Sequence, residues 1–146
     1  MNKKWWVLIF LTIVILGIIF IPKILTDKGD EKVSFDIIKE DDIPKEIEEI
    51  LPKYQKEERA LACKVDDKIY IVVTRGEKNT DGYDVTIQSI EKKKNDGKFN
   101  LIVYAQYKDP KPDEIVPQVI TYPTVVAETE LEKLPEKIDL KTNYIE

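Results

Sequence analysis

The chain has 146 residues, of which 42% are hydrophobic and 35% charged, and its formal net charge is −5. Residues 1–32 hold five Lys and three acidic residues, which leaves −7 for residues 33–146 and disfavours binding to nucleic acid or to an anionic lipid surface. With one cysteine and no histidine, the sequence excludes an internal disulfide, a Ser-His-Asp or Cys-His catalytic arrangement and a histidine-ligated metal.

The first element is an apolar segment without a charge at residues 5–21. As a helix it spans about 26 Å, slightly less than a hydrocarbon core of about 30 Å, and the flanking Trp5, Trp6 and Lys23 make up the difference. Lys3 and Lys4 precede it on a short tail, so the positive-inside rule keeps the N-terminus in the cytoplasm. We therefore predict a cytoplasmic tail at residues 1–4, a transmembrane helix in the lipid bilayer at residues 5–25, a polar stalk at residues 26–32 and an extracytoplasmic domain at residues 33–146.

A cleaved signal peptide is the competing interpretation of the same segment. No pair of small residues follows the apolar run, where Ile21-Pro22-Lys23 stands instead, so an uncleaved anchor fits better. Both interpretations place the C-terminal domain outside the cytoplasm, in a single-pass protein of the cell membrane or in a secreted one.

The domain begins with an alternating segment, residues 33–39, which predicts a strand. A helix is predicted over residues 44–58, with Asp42 as its N-cap and an apolar face that includes Ile43, Ile47 and Leu51. Pro52 should bend this helix or end it early.

After residue 59 the apolar period changes to two, which predicts strands. Residues 59–65 and 68–75 form a hairpin across Asp66-Asp67, and residues 83–92 and 98–107 form another across Asn95-Asp96-Gly97. A long or bent strand follows at residues 116–129, where two prolines indicate an edge or a bulge, and a short strand at residues 137–142 ends the chain. The predicted fold is mainly β: an antiparallel sandwich or partial barrel of six to seven strands with one early helix.

Two segments differ from ordinary strand or turn sequences: Thr-Asp-Gly-Tyr at residues 80–83 and Thr-Tyr-Pro at residues 121–123. With their spacing, these segments resemble the C-terminal domain of the PrcB family, a group of protease-complex accessory proteins, over residues 60–129. The family usually has Gly-Gly-Tyr in the first segment, where this chain has Asp81. The resemblance implies a protein partner, such as an envelope or secreted protease, and the candidate binding residues are Asn79, Thr80, Asp81, Gly82, Tyr83, Tyr122 and Pro123.

The Thr-x-Gly-Tyr segment is also similar to the first inhibitory loop of chagasin-type cysteine-protease inhibitors, whose other two loop motifs the chain lacks. Structural explanations for the same residues are a glycine turn at Gly82 and a bulge at Tyr122-Pro123. The carboxylates of Glu77, Asp81 and Asp84 would allow two-carboxylate catalysis or weak Ca²⁺ binding. A β domain this small implies no deep pocket for the first, and an EF-hand-like spacing for the second is absent from the sequence.

We therefore predict a membrane-anchored accessory protein that acts by protein–protein contact and assists or stabilises a surface protease, with no catalytic residue, metal or cofactor of its own. Direct protease inhibition and a structural role in the envelope remain alternatives.

Overall fold

The computed structural model describes residues 3–4 and 31–145, and in the second range the chain forms eight strands and one α-helix. In chain order these are β1 (Glu31–Lys32), β2 (Phe35–Ile37), α1 (Lys45–Tyr54), β3 (Glu58–Val65), β4 (Lys68–Arg75), β5 (Asp84–Asn95), β6 (Lys98–Lys108), β7 (Thr124–Thr129) and β8 (Lys137–Ile145). Within the described residues, no helix has the length and apolar character needed to cross a membrane. The transmembrane helix predicted at residues 5–25 lies outside them.

The strands form two sheets of four, in the orders β1-β5-β6-β8 and β2-β7-β4-β3. Neighbouring strands are antiparallel except β6 and β8, which run parallel. The prediction of a mainly β fold with one early helix is confirmed. The wholly antiparallel arrangement and the six to seven strands were wrong, and among the described residues the sheets do not close into a barrel.

The main core lies between the two sheets, and its residues follow the two-residue period of the strands. β4 contributes Ile69, Ile71 and Val73, and β6 contributes every second residue from Phe99 to Tyr107. The opposite face of β4 carries Tyr70 and Val72, which pack with Ile47 of α1. The helix therefore covers the outer face of the second sheet.

Both predicted hairpins are confirmed. β3 and β4 pair without a break from Glu58 with Arg75 to Val65 with Lys68, and β5 and β6 close at Asn95 with Lys98. β5 ends at Asn95, three residues beyond its predicted end. Its register shifts between Ile87 and Ser89, and this bulge returns Ile90 to the core.

The first predicted strand and the start of the helix need correction. The backbone N–H of Val33 donates to the carbonyl of Ile90 at 2.9 Å, whereas that of Ile38 donates to Val126 at 2.8 Å, so residues 33–39 pass from one sheet to the other. Val33 is buried where they cross, which divides the predicted strand into β1 and β2. The N-cap position of α1 is Pro44 and not Asp42, and the helix ends two residues after Pro52.

The C-terminal strands also differ from the prediction. Within residues 116–129 only β7 is a strand, because Pro117 and Pro123 have no N–H to donate to a ladder. β8 extends to Ile145, three residues beyond its predicted end, because its whole length pairs with β6.

Candidate functional site

Two loops at one end of the sandwich contain all seven predicted partner-binding residues. One loop joins β4 to β5 and the other leads into β7, and β4 and β7 are paired neighbours whose register ends at Thr74 with Thr124. We call residues 76–83 and 115–123 the two-loop surface. Asn79 and Asp81 are exposed, and the other predicted residues, Thr80, Gly82, Tyr83, Tyr122 and Pro123, are half-buried.

Backbone hydrogen bonds hold the two loops together. Lys78 and Thr121 exchange N–H to carbonyl bonds of 2.9 Å in both directions, an isolated antiparallel bridge outside the named strands. The Thr121 hydroxyl donates to the carbonyl of Thr80 at 2.8 Å, and the N–H of Asp81 donates to that of Pro117 at 3.0 Å. The two segments that were singled out by sequence thus form one surface.

The side chain of Tyr122 forms a hydrogen bond with the loop at residues 76–83. Its hydroxyl donates to Glu77 Oε1 at 3.0 Å. This hydrogen bond to a carboxylate, with smaller effects of burial and of the Glu77 charge, raises the pKa of Tyr122. Tyr122 therefore holds Glu77 in place as well as covering the surface.

Gly82 is required by both its backbone angle and its surroundings. Its φ is +95°, a value that side-chain-bearing residues rarely adopt. A Cβ added there would lie 2.9 Å from Val116 Cγ1 and 3.0 Å from Pro110 Cβ. Asp81 is not among the positive-φ residues, and its Oδ1 accepts the Gly82 N–H at 2.8 Å, so this turn does not need a second glycine.

Arg75, the last residue of β4, fixes the base of the two-loop surface. Its side chain is only 2% exposed and forms an ion pair with Asp109. One guanidinium nitrogen donates to the carbonyls of Asp84 and Lys108, at 3.1 and 3.0 Å. Because Arg75 belongs to one sheet and those carbonyls to the other, a single side chain connects the two sheets beneath the loops.

Aromatic rings surround this arginine. Its Cζ lies 4.5 Å from the centroid of the Tyr107 ring, 5.1 Å from that of Tyr83 and 5.7 Å from that of Tyr144. Lys78 Nζ is 5.3 Å from the Tyr83 centroid as well. Tyr83 therefore lies within reach of two cations, an arrangement that favours a fixed ring position.

Sequence reasoning missed Arg75 and the apolar part of the second loop. The position of Arg75 could have been predicted from the alternation of side chains along a strand, because residues 69, 71, 73 and 75 point to the same face of β4. Ile115 is 98% exposed, Val119 53% and Ile120 61%, and the last two lie in the segment 116–129 that was predicted as a strand. Their exposure follows from the absence of a ladder before Thr124.

Two acidic residues of the first loop make structural contacts. The Glu77 carboxylate accepts from the Tyr122 hydroxyl and Asp81 Oδ1 accepts from the Gly82 N–H, whereas the bond of Arg75 to Asp84 is made by the backbone carbonyl. In the part of the chain that the structure describes, no three or more Asp, Glu, Cys or His residues are grouped to hold a metal ion.

One comparison with known proteins gives a match. The PrcB C-terminal family model matches residues 69–130. The match runs from β4 through β7 and includes the whole two-loop surface, while β1 to β3, α1 and β8 lie outside it. No curated protein and no solved structure matches the chain. The predicted resemblance is thereby confirmed over residues 69–129.

Proposed function

We propose that this chain is a membrane-anchored accessory protein whose extracytoplasmic domain binds a protein partner through the two-loop surface. The observation that carries the proposal is the exposure of Ile115, Val119 and Ile120 in the second loop of the two-loop surface. Large apolar side chains grouped on one loop are costly to leave in water, and such groups mark contact sites. The partner would cover them together with Tyr122.

The rigidity of the loops supports this function. The Lys78–Thr121 bridge and the Gly82 turn hold the surface in one conformation before a partner binds. A surface ordered in advance loses less conformational entropy on binding than a flexible one.

The family match supports an accessory role in a protease complex, and we propose a protease of the envelope, or a subunit bound to one, as the partner. Capture in cells tests this. A photo-crosslinking residue replaces Val119 in the full chain, and Ile37, which is 47% exposed on β2, is replaced as the matched control. We expect a protease or its bound subunit to be captured from position 119 and not from position 37. Capture of the same proteins from both positions, or of only this chain from position 119, would refute the proposal.

Substitution identifies the contact itself. With the photo-crosslinking residue kept at position 119, the double change Ile115→Ser with Ile120→Ser should abolish capture of the partner, and Ile37→Ser should preserve it. Adding the full chain to the captured protease then separates two modes of action. An accessory protein leaves the protease activity unchanged or raises it, whereas an inhibitor of the chagasin type lowers it.

Location is tested separately. The full chain should fractionate with membranes, and a membrane-impermeant amine reagent should label the lysines of residues 33–146 in intact cells. Recovery in the soluble fraction without labelling would refute the predicted topology and leave the docking proposal to be judged by the crosslinks.

A further inference from the structure

A cavity of about 520 Å³ opens at the end of the sandwich opposite the two-loop surface. The β5–β6 hairpin, β1 and the segment after β7 line it. Its lining includes five lysines, Lys32, Lys92, Lys94, Lys98 and Lys133, and we call it the lysine pocket.

The charge of the lysine pocket is opposite to that of the domain. Five lysines against three glutamates give a net charge of +2, whereas residues 31–146 as a whole carry −7. Glu31 is neutralised by Lys94, whose Nζ lies 2.7 Å from Glu31 Oε1, and this contact lowers the pKa of Glu31. Glu130 accepts the backbone N–H of Ser34 at 3.2 Å, and Glu132 is the third acidic residue of the lining. The remaining lysines therefore outnumber the remaining carboxylates.

The pocket also has an apolar part. Val33, Phe99 and Leu131 line it, and each is less than a tenth exposed. Lys92 Nζ lies 4.5 Å from the centroid of the Phe99 ring, so a cation stands directly above the apolar surface. A ligand that fits must combine negative charge with an organic portion.

We propose that the lysine pocket binds a phosphate ester, with the phosphate among the lysines and the organic portion against Phe99 and Leu131. A phosphate monoester carries a charge of about −1.5 to −2 at neutral pH, which matches the net charge of the pocket better than one carboxylate does. Lysine binds phosphate as a point charge and does not need the paired geometry of arginine. The cavity volume lies in the range of about 300–1,000 Å³ that small-molecule sites occupy. The site is separate from the two-loop surface and does not depend on the proposed partner.

The phosphate monoester has two sources, a soluble metabolite or the headgroup of phosphatidic acid, and two probes distinguish them. The full chain is mixed either with glycerol 3-phosphate or with phosphatidylcholine vesicles that contain phosphatidic acid. Vesicles of phosphatidylcholine alone are the blank. Acetylation of each lysine by a limiting amine reagent is then measured by peptide mass spectrometry, with the exposed Lys45 and Lys53 of α1 as internal references.

We expect acetylation of Lys98 and Lys133 to fall relative to Lys45 and Lys53 with at least one probe. Protection by glycerol 3-phosphate identifies a soluble ester, and protection by the anionic vesicles alone identifies a lipid headgroup. Unchanged acetylation with both probes, or equal protection of all four lysines, would overturn the proposal.

Charge-matched variants separate the pocket from general electrostatic attraction. Lys98→Gln with Lys133→Gln should weaken binding of the effective probe about tenfold. Lys45→Gln with Lys53→Gln removes the same charge from α1 and should leave binding as it was. Equal affinity of the two double variants would contradict a site in the lysine pocket.

Discussion

Gly82 is the residue of the two-loop surface for which substitution has the clearest physical consequence. A methyl group there must accept a φ of +95° and also lie 2.9 Å from Val116 Cγ1. We expect Gly82→Ala to lower the free energy of unfolding by about 2–3 kcal/mol. Urea denaturation of the full chain, followed by far-UV circular dichroism, measures this change.

Gly97 provides the matched control, since its φ is +79° but nothing lies within 4 Å of an added Cβ. Gly97→Ala should therefore lower the free energy of unfolding only by the backbone strain, about 1 kcal/mol. An equal loss in both variants would mean that the contacts with Val116 and Pro110 contribute nothing.

Tyr107 makes the stability of the domain depend on alkaline pH. Burial, followed by the charge of Glu58, raises the pKa of Tyr107 from 10.0 to about 12. Between these two values the unfolded chain loses this proton while the folded chain keeps it. The stability that Tyr107 contributes is therefore complete below pH 10 and is lost as pH rises towards about 12, by about 2–3 kcal/mol in total.

Tyr107→Phe tests this dependence, because within the described residues the Tyr107 hydroxyl has no hydrogen-bond partner to lose. We expect the free energies of unfolding of the two proteins to be similar at neutral pH and that of the wild type to fall more steeply between pH 10 and about 12. Parallel curves over that interval would show that Tyr107 ionises at its ordinary pKa.

At the scale of elements, the two hairpins have the same two-residue turn with different residues. Asp66 and Asp67 have φ of 48° and 65°, and Asp96 and Gly97 have φ of 47° and 79°. Glycine adopts such angles more readily than aspartate, which is why Asp-Gly is preferred in this turn. We expect Asp67→Gly to raise the free energy of unfolding by about 0.5–1 kcal/mol, measured by the same denaturation.

The reverse change, Gly97→Asp, should lower the free energy of unfolding by a similar amount and serves as the matched control. Should Asp67→Gly destabilise the protein instead, the Asp67 side chain must contribute more than its backbone strain costs.

Elements defined by local signals could be predicted, and elements defined by distant pairing could not. The hairpins combine a two-residue period with turn residues, and both were placed correctly from sequence. Residues 116–123 have the apolar content of a strand, yet their prolines and the Lys78–Thr121 bridge leave them as a loop. The parallel pairing of β8 with β6 has no local signal, because β7 intervenes in the other sheet.

At the scale of the whole molecule, the negative net charge of the domain did not reveal its positively charged pocket. The value of −7 for residues 31–146, in which Glu31 and Lys32 cancel, conceals the five lysines that the fold gathers at one end. Lys92 and Lys94 are close in sequence, but Lys32 and Lys133 join them only because β1 pairs with the end of β5 and β7 ends nearby. For the candidate site, sequence identified both loops, and the fold added Arg75 and the exposed apolar residues.

The residues that match the family are only part of both sheets, and this gives a prediction for the whole molecule. Residues 69–130 contain β4 to β7, which is two strands of each sheet. They lack Ile47 of α1, which is fully buried, and Ile138 and Leu140 of β8, which pack against the main core. Two-stranded sheets are at best marginally stable, so this segment should not fold alone.

We therefore expect a fragment of residues 69–130 to unfold without a cooperative transition, whereas residues 31–146 unfold in one step on heating. Far-UV circular dichroism during thermal unfolding compares them. A cooperative transition in the shorter fragment would mean that β3, α1 and β8 are additions to an independent core. Its absence would mean that the matched family segment depends on the strands around it, so that Arg75 and the two-loop surface are positioned only when both sheets are complete.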